Sequence, residues 1–230
     1  MPDLLADFHT HRLDAPAGAT INLPPHVLDA PDSWKPRPGL SYSAGIHPWN
    51  VMPGAPINRW LQSLEQLASR PEVTAVGECG LDRLHGDFAL QQNVFRKQAL
   101  LAERFHKPLI IHCVKAQAEL LRFHKELHPH AQWTVHGFRG NALAARQLLA
   151  AGFNLSFGRH FQPEAVRACP PDRLHIETDD SDIGLAEVAE AITPFLPPTR
   201  SGIDRHHSPR TPPGTTPPSS SLPSGKQVLR

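Results

Sequence analysis

The chain has 230 residues, of which 40% are apolar and 20% charged, with a formal net charge of +1. That is enough apolar content for a real core, and it excludes wholesale disorder and any strong overall attraction to nucleic acid or anionic membrane. Cys79, Cys113 and Cys169 are too few and scattered for a disulfide framework or a Cys-rich zinc module, which favours a reducing, cytoplasmic setting. Met1-Pro2-Asp3 opens no basic, apolar leader, and no apolar run is long enough to span a bilayer, so neither secretion nor membrane insertion is expected. Two counts are high, 25 prolines and 15 histidines.

Short β-rich runs recur along the chain: Leu4–His9, Ala19–Leu23, Leu40–Ile46, Val73–Glu78, Leu109–Cys113, Trp133–His136, Phe153–Phe157 and Leu174–Glu177. From the third onward they alternate with helical patterns. Ile57, Trp60, Leu61, Leu64, Leu67 and Ala68 share one face, and Val94, Phe95, Gln98, Leu101, Ala102 and Phe105 form a second stripe stopped by Pro108. Ala118–Leu127 and Asn141–Ala151 follow, the latter with Asn141 as N-cap and Gly152 as stop. Eight apolar strands alternating with helices predict an α/β fold, a parallel (β/α)8 barrel of the TIM type with its site at the C-terminal strand ends. The first two strands lie too close for a helical crossover, and 24–38 is rich in proline. The first two outer helices are therefore expected to be reduced, giving a distorted, trimmed barrel.

Nine of the 25 prolines lie from Pro194 onward, among Ser, Thr and Gly. We read 1–199 as the barrel and 200–230 as a disordered tail, since such composition cannot bury enough surface to offset its ordering entropy. The tail carries +4 of the formal charge, which leaves the body at −3 against the +1 of the whole. A faintly acidic body argues against broad electrostatic gripping of duplex DNA.

The chemistry-bearing side chains fall at strand ends. His9 and His11, two apart on an extended run, point to one side. Glu78 ends the fourth run, His112 the fifth and His136 the sixth, and Asp179 follows the eighth. If the barrel closes, these six nitrogen and oxygen donors converge on one mouth, a set suited to Zn, Mn, Fe or Mg. Cys79 and Cys113 each follow a proposed ligand and should face away from it. His106, His124, His128 and His130 read as solvent-facing, whereas His85 and His160 sit in loops on the mouth side.

Asp7-Phe8-His9-Thr10-His11, Gly45-Ile46-His47-Pro48-Trp49, the Gly77–Asp82 stretch, Ile111-His112, His136-Gly137-Phe138-Arg139-Gly140 and Glu177-Thr178-Asp179 together resemble the TatD family of metal-dependent deoxyribonucleases. The likeness runs from about residue 4 to 183 in the right order. It implies a distorted barrel of the amidohydrolase superfamily, in a compact subgroup, that hydrolyses DNA with two divalent ions (Mg, Mn or Zn). By motif, His9, His11, Glu78 and Asp179 would hold one ion, and Glu78, His112 and His136 the second, with Glu78 bridging. His47 and Arg139 would lie near the substrate. The expected nucleophile is metal-bound hydroxide, with Asp179 accepting the proton. After Asp179 the chain departs from the family pattern, with a short helix at Leu185–Ile192 followed by low-complexity sequence. The expected substrate is DNA, single-stranded or at ends, or another ester or phosphodiester. Two other readings stay open at this point: an ester or amide hydrolase such as an aminoacyl-tRNA deacylase, and a non-catalytic protein that binds partners through its proline-rich tail.

Overall fold

Parallel strands need crossovers, and the sequence supplies helices for most of them. The computed structural model describes residues 6–197, so the tail read at 200–230 and the first two residues of the Leu4–His9 run lie outside the described residues. Among the described residues one sheet holds seven strands, β1 (Thr20–Asn22), β2 (Ser41–Ala44), β3 (Val73–Asp82), β4 (Leu109–Val114), β5 (Trp133–Val135), β6 (Asn154–Phe157) and β7 (Leu174–Ile176). They lie in chain order and every neighbouring pair is parallel. Outside them run α1 (Ile57–Ala68), α2 (Phe88–Arg104), α3 (Gln117–Leu127), α4 (Ala142–Ala150), α5 (Pro163–Ala168) and α6 (Leu185–Ile192). The fold is the expected trimmed barrel: between β1 and β2 the chain makes only two 3-10 turns, Pro25–Leu28 and Pro31–Ser33. No helix among the described residues is long and apolar enough to cross a membrane.

The run expected as a first strand is not a regular strand. Its residues still stand between β1 and the chain beyond β7. The Phe8 N–H donates to Ile176 O at 3.0 Å and the Thr10 N–H to Thr20 O at 3.1 Å, and Thr10 forms isolated parallel bridges to both Ile21 and Asp179. Hydrogen bonds shared alternately between two neighbours build no continuous ladder with either, but they join the two edges of the sheet. Asp7 secures the seam: it accepts from the Thr178 N–H at 3.0 Å and from the Thr178 hydroxyl at 2.6 Å.

Two other expectations change. The fourth run does not stop at Glu78; β3 continues to Asp82 along β4, with a register shift between Val76 and Cys79. The glycines that look like a strand end instead let the bulged strand lie close to its neighbour. His124 does not face solvent freely, since it packs on Phe153 and Trp133 at centroid distances of 4.5 and 5.2 Å. Helix α5 was not anticipated, although Pro163 at its first turn followed by Glu164 is a start signal.

The core lies between helices and sheet, where Trp133, Phe95, Phe153, Leu64, Leu67, Leu109 and Ile111 are fully buried. Each such side chain contributes about 1.5–3 kcal/mol. Helix α2 also carries two buried polar residues on its inner face. Gln98 pairs with both backbone groups of Ile46 (Oε1 accepting at 2.7 Å, Nε2 donating at 3.1 Å), while Gln91 accepts from the Asp82 N–H at 2.8 Å and donates to His85 O at 2.6 Å. These contacts set the backbone of the loops that follow β2 and β3.

At the end of α2, Glu103 accepts from the His130 and Ala131 backbone N–H groups and from His130 Nδ1 at 2.8–3.1 Å. The Ala131 N–H above all holds its carboxyl below the ordinary value of 4.5. A depressed carboxyl stabilises the fold above its unfolded pKa and loses that contribution as pH falls. Glu103→Ala is expected to cost about 1–2 kcal/mol at neutral pH, and urea titration should show the difference from wild type shrinking as pH drops below 4.5.

Candidate metal centre

The seam places the first two histidines. The His11 N–H donates to Asp179 O and the Asp179 N–H to His9 O, both at 3.0 Å, so residues 9–11 and Asp179 are locked together. Asp179 has φ +55°, a left-handed conformation that aspartate tolerates better than most residues. Its Oδ1 lies 3.5 Å from His11 Nε2 and 3.8 Å from His9 Nε2.

Glu78 sits at the β3 irregularity, 4% exposed, with its N–H donating to Asn22 Oδ1 at 2.9 Å. Its two carboxylate oxygens face different histidines. Oε1 lies 2.8 Å from His136 Nε2, 3.0 Å from His112 Nδ1 and 3.0 Å from His47 Nε2. Oε2 lies 3.2 Å from His11 Nε2 and 3.5 Å from His9 Nε2. The structure thus brings together all six residues expected as ligands. His47, expected beside the substrate, joins the same cluster, and ligand atoms of His47, Glu78 and His112 lie within 4.8 Å of one another. The trios His9, His11, Glu78 and His9, His136, Asp179 meet the same limit.

Burial would raise the Glu78 carboxyl, but the charge of His136 and hydrogen bonds from His11, His112 and His136 outweigh it and hold it well below the ordinary carboxylate range. Burial likewise opposes charge on His136, yet Glu78 and Glu177 on its two sides raise it well above the usual value. Asp179 behaves differently. Burial dominates there and lifts its carboxyl, which strengthens it as a proton acceptor.

His9 is fully buried, and neither ring nitrogen has a hydrogen-bond partner among the described residues. A buried imidazole left unpaired costs about 1–3 kcal/mol; one aimed at two carboxylates is suited to a divalent cation. All the donors are nitrogen or carboxylate oxygen, so the set fits metal. Cys79 does not join it: its thiol points at Ile110 O, 3.7 Å away, and burial pushes it up.

Around these residues stands a layer that holds them in place, and most of it was missed in the sequence. Glu177, fully buried, faces His136 Nδ1 at 3.2 Å and accepts from the Gly137 N–H at 2.6 Å. Asp82, 1% exposed, receives Trp49 Nε1 at 2.7 Å, His85 Nδ1 at 2.8 Å and the Leu84 N–H at 2.9 Å, and faces His112 Nε2 at 3.4 Å. Both acids stand inside motifs quoted from the sequence, but nothing local showed which histidine each would meet. Such partners fix ring orientation and leave the opposite nitrogen to face the centre. Beside Asp179 opens a cleft of about 280 Å³ lined by Arg139, Arg159, His160 and Asp182. Arg159 pairs with Asp182 at 2.8 Å, whereas Arg139 is exposed and has no ion pair among the described residues.

The family model described as TatD related DNase matches residues 20–189. Curated relatives include an uncharacterized metal-dependent hydrolase, YabD, of Bacillus subtilis, 36% identical over 50% of this chain and 49% of its own length. Another is a 3'-5' ssDNA/RNA exonuclease TatD of Cronobacter turicensis, 36% identical over 61% of this chain and 57% of its own length. The chain therefore spans about half to three fifths of these relatives. Among solved structures, the TatD homologue YJJV of Escherichia coli superimposes with a TM-score of 0.60, covering 83% of this chain and 95% of that one at 22% identity, a likeness of fold. With the family model matching most of the barrel, the chain belongs to the TatD family of metal-dependent hydrolases.

Proposed function

We propose that this protein is a divalent-metal-dependent phosphodiesterase that cleaves single-stranded nucleic acid, DNA included. One observation carries the reading: Glu78, buried and anionic, turns one oxygen to His9 and His11 and the other to His47, His112 and His136. In this reading His9, His11 and Asp179 share one ion with Glu78, while His112 and His136 share a second, with His47 beside it. When bound, two divalent ions supply Lewis acidity toward the phosphoryl group and lower the pKa of water far below about 15.7.

The rest falls to the chain. Asp179, lifted by burial, takes the proton of the attacking water. Glu177 and Asp82 keep His136 and His112 from turning, so their donor atoms meet the centre without reorganisation. In this reading Arg139, exposed on the cleft rim, donates to a non-bridging phosphate oxygen. Support for nucleic acid as substrate comes from the relatives named as ssDNA/RNA exonucleases.

The test strips the protein with EDTA, reloads it with Mg, Mn or Zn, and offers labelled single-stranded DNA, RNA and an aminoacyl-tRNA. Metal-dependent trimming of the single strands is expected, with about two ions per chain by elemental analysis. His9→Ala combined with His112→Ala should abolish both metal retention and turnover. Hydrolysis of the aminoacyl ester alone would make the protein a deacylase, and metal binding indifferent to the double change would remove the site.

A further inference from the structure

Trp49 stands at the mouth with 53% of its surface exposed, in the 3-10 turn Pro48–Asn50 that follows β2. A large apolar ring left in water needs no explanation singly, but three features set this one apart. Its ring is held in one orientation, because Nε1 donates at 2.7 Å to Asp82, a carboxylate almost wholly buried. It adjoins the centre, with ring centroids 4.8 Å from His47 and 5.8 Å from His112. It is also not isolated in kind. Of the six large exposed apolar residues among the described residues, Leu13, Trp49, Met52 and Leu84 all lie in loops leaving the C-terminal ends of residues 7–11, β2 and β3. The cleft that bears Arg139 lies among the loops after β5, β6 and β7, on the other side of the ring of strands.

We infer that Trp49 is a stacking platform for one nucleobase of a single-stranded nucleic acid, beside the scissile phosphate. The inference rests on the proposed phosphodiesterase reading and adds to it the requirement for a base. A flat ring fixed by a buried carboxylate loses little freedom when another flat ring settles on it, which is how sequence-tolerant single-strand binders hold bases. The arrangement also separates the two recognition tasks: the apolar side of the mouth takes a base and the Arg139 side takes backbone charge. A duplex end would have to unpair before its last base could reach the ring, so single strands are preferred.

The experiment uses the full, metal-loaded chain and a labelled oligothymidylate in which one nucleotide at a time, counted from the 3′ end, is abasic. Wild type should show one position where losing the base raises KM about 10- to 100-fold, the scale of one base–aromatic stack. Trp49→Ala should raise KM for the intact strand by a similar factor and erase the response to that abasic position. Trp49→Phe, which keeps a ring but not the N–H, should restore most of both. Metal content in each variant shows whether the centre survives. An abasic response that persists in Trp49→Ala overturns the platform. So does loss of metal in Trp49→Ala and Trp49→Phe alike, which would make the indole a brace for Asp82. If metal-loaded wild type leaves every strand intact, the phosphodiesterase reading fails and takes the platform with it, a result separate from the other two.

Discussion

Glu78→Gln should lower hydrolysis about 10²- to 10⁴-fold while leaving the barrel folded. The amide keeps the volume and one oxygen acceptor, so the packing around a residue only 4% exposed changes little. What disappears is the anion that faces five histidines from two oxygens. A neutral amide oxygen is a poor ligand for hard cations, and its nitrogen brings two protons toward imidazoles whose lone pairs should meet metal. At least one ion should be lost, and with it several kcal/mol of transition-state stabilisation. Circular dichroism, elemental analysis and turnover on one preparation decide the matter. A variant that holds two ions and turns over normally would refute a bridging role.

Gly80→Ala should fail for a different reason. Gly80 pairs with His112 between β3 and β4 and has φ +148°. A Cβ there would lie 1.9 Å from His112 O, a backbone atom with no side-chain freedom to yield. The two strands must part or β3 must change its path, at a cost of about 3–5 kcal/mol on a total near 5–15 kcal/mol. Poor soluble yield, or a urea midpoint lowered by that amount with metal affinity falling alongside, is expected. A loss under about 1 kcal/mol would mean the strands do not approach this closely.

The strands were legible because buried parallel strands are short apolar runs with turn residues between them, and that signal is local. The donors were legible for the same reason, since His9 and His11 alternate on an extended run and His112 and His136 close apolar runs. Glu78 was found but misplaced at a strand end. Gly77 and Gly80 are the usual marks of a stop, and only the neighbouring strand shows that they permit close approach and a bulge instead. The residues that hold the donors were out of reach. Gln98 read as part of an apolar stripe, and Glu177, Asp82 and Asp7 as companions within motifs, because their roles depend on groups far along the chain. His47 shows the same limit: a loop histidine after β2 is expected near the substrate, and only the fold shows that the short turn at Pro48 also brings its Nε2 to 3.0 Å from Glu78.

The seam that joins residues 7–11 to the chain after β7 has a consequence for how the protein comes into being. Asp7 and Thr178, which pin it, are 171 positions apart. At about 5–20 residues per second, a ribosome needs roughly 10–30 s to travel between them. Throughout that interval the nascent sheet has an open edge at residues 7–11, which flank β1, and His9 and His11 have been made without Asp179 to meet them. Unpaired edges invite pairing with other chains, so the newborn protein passes through a stretch of vulnerability that ends only when β7 emerges. A growing chain carries its first imidazoles long before the candidate metal centre can assemble, and Asp179 joins them only when almost the whole barrel has been made.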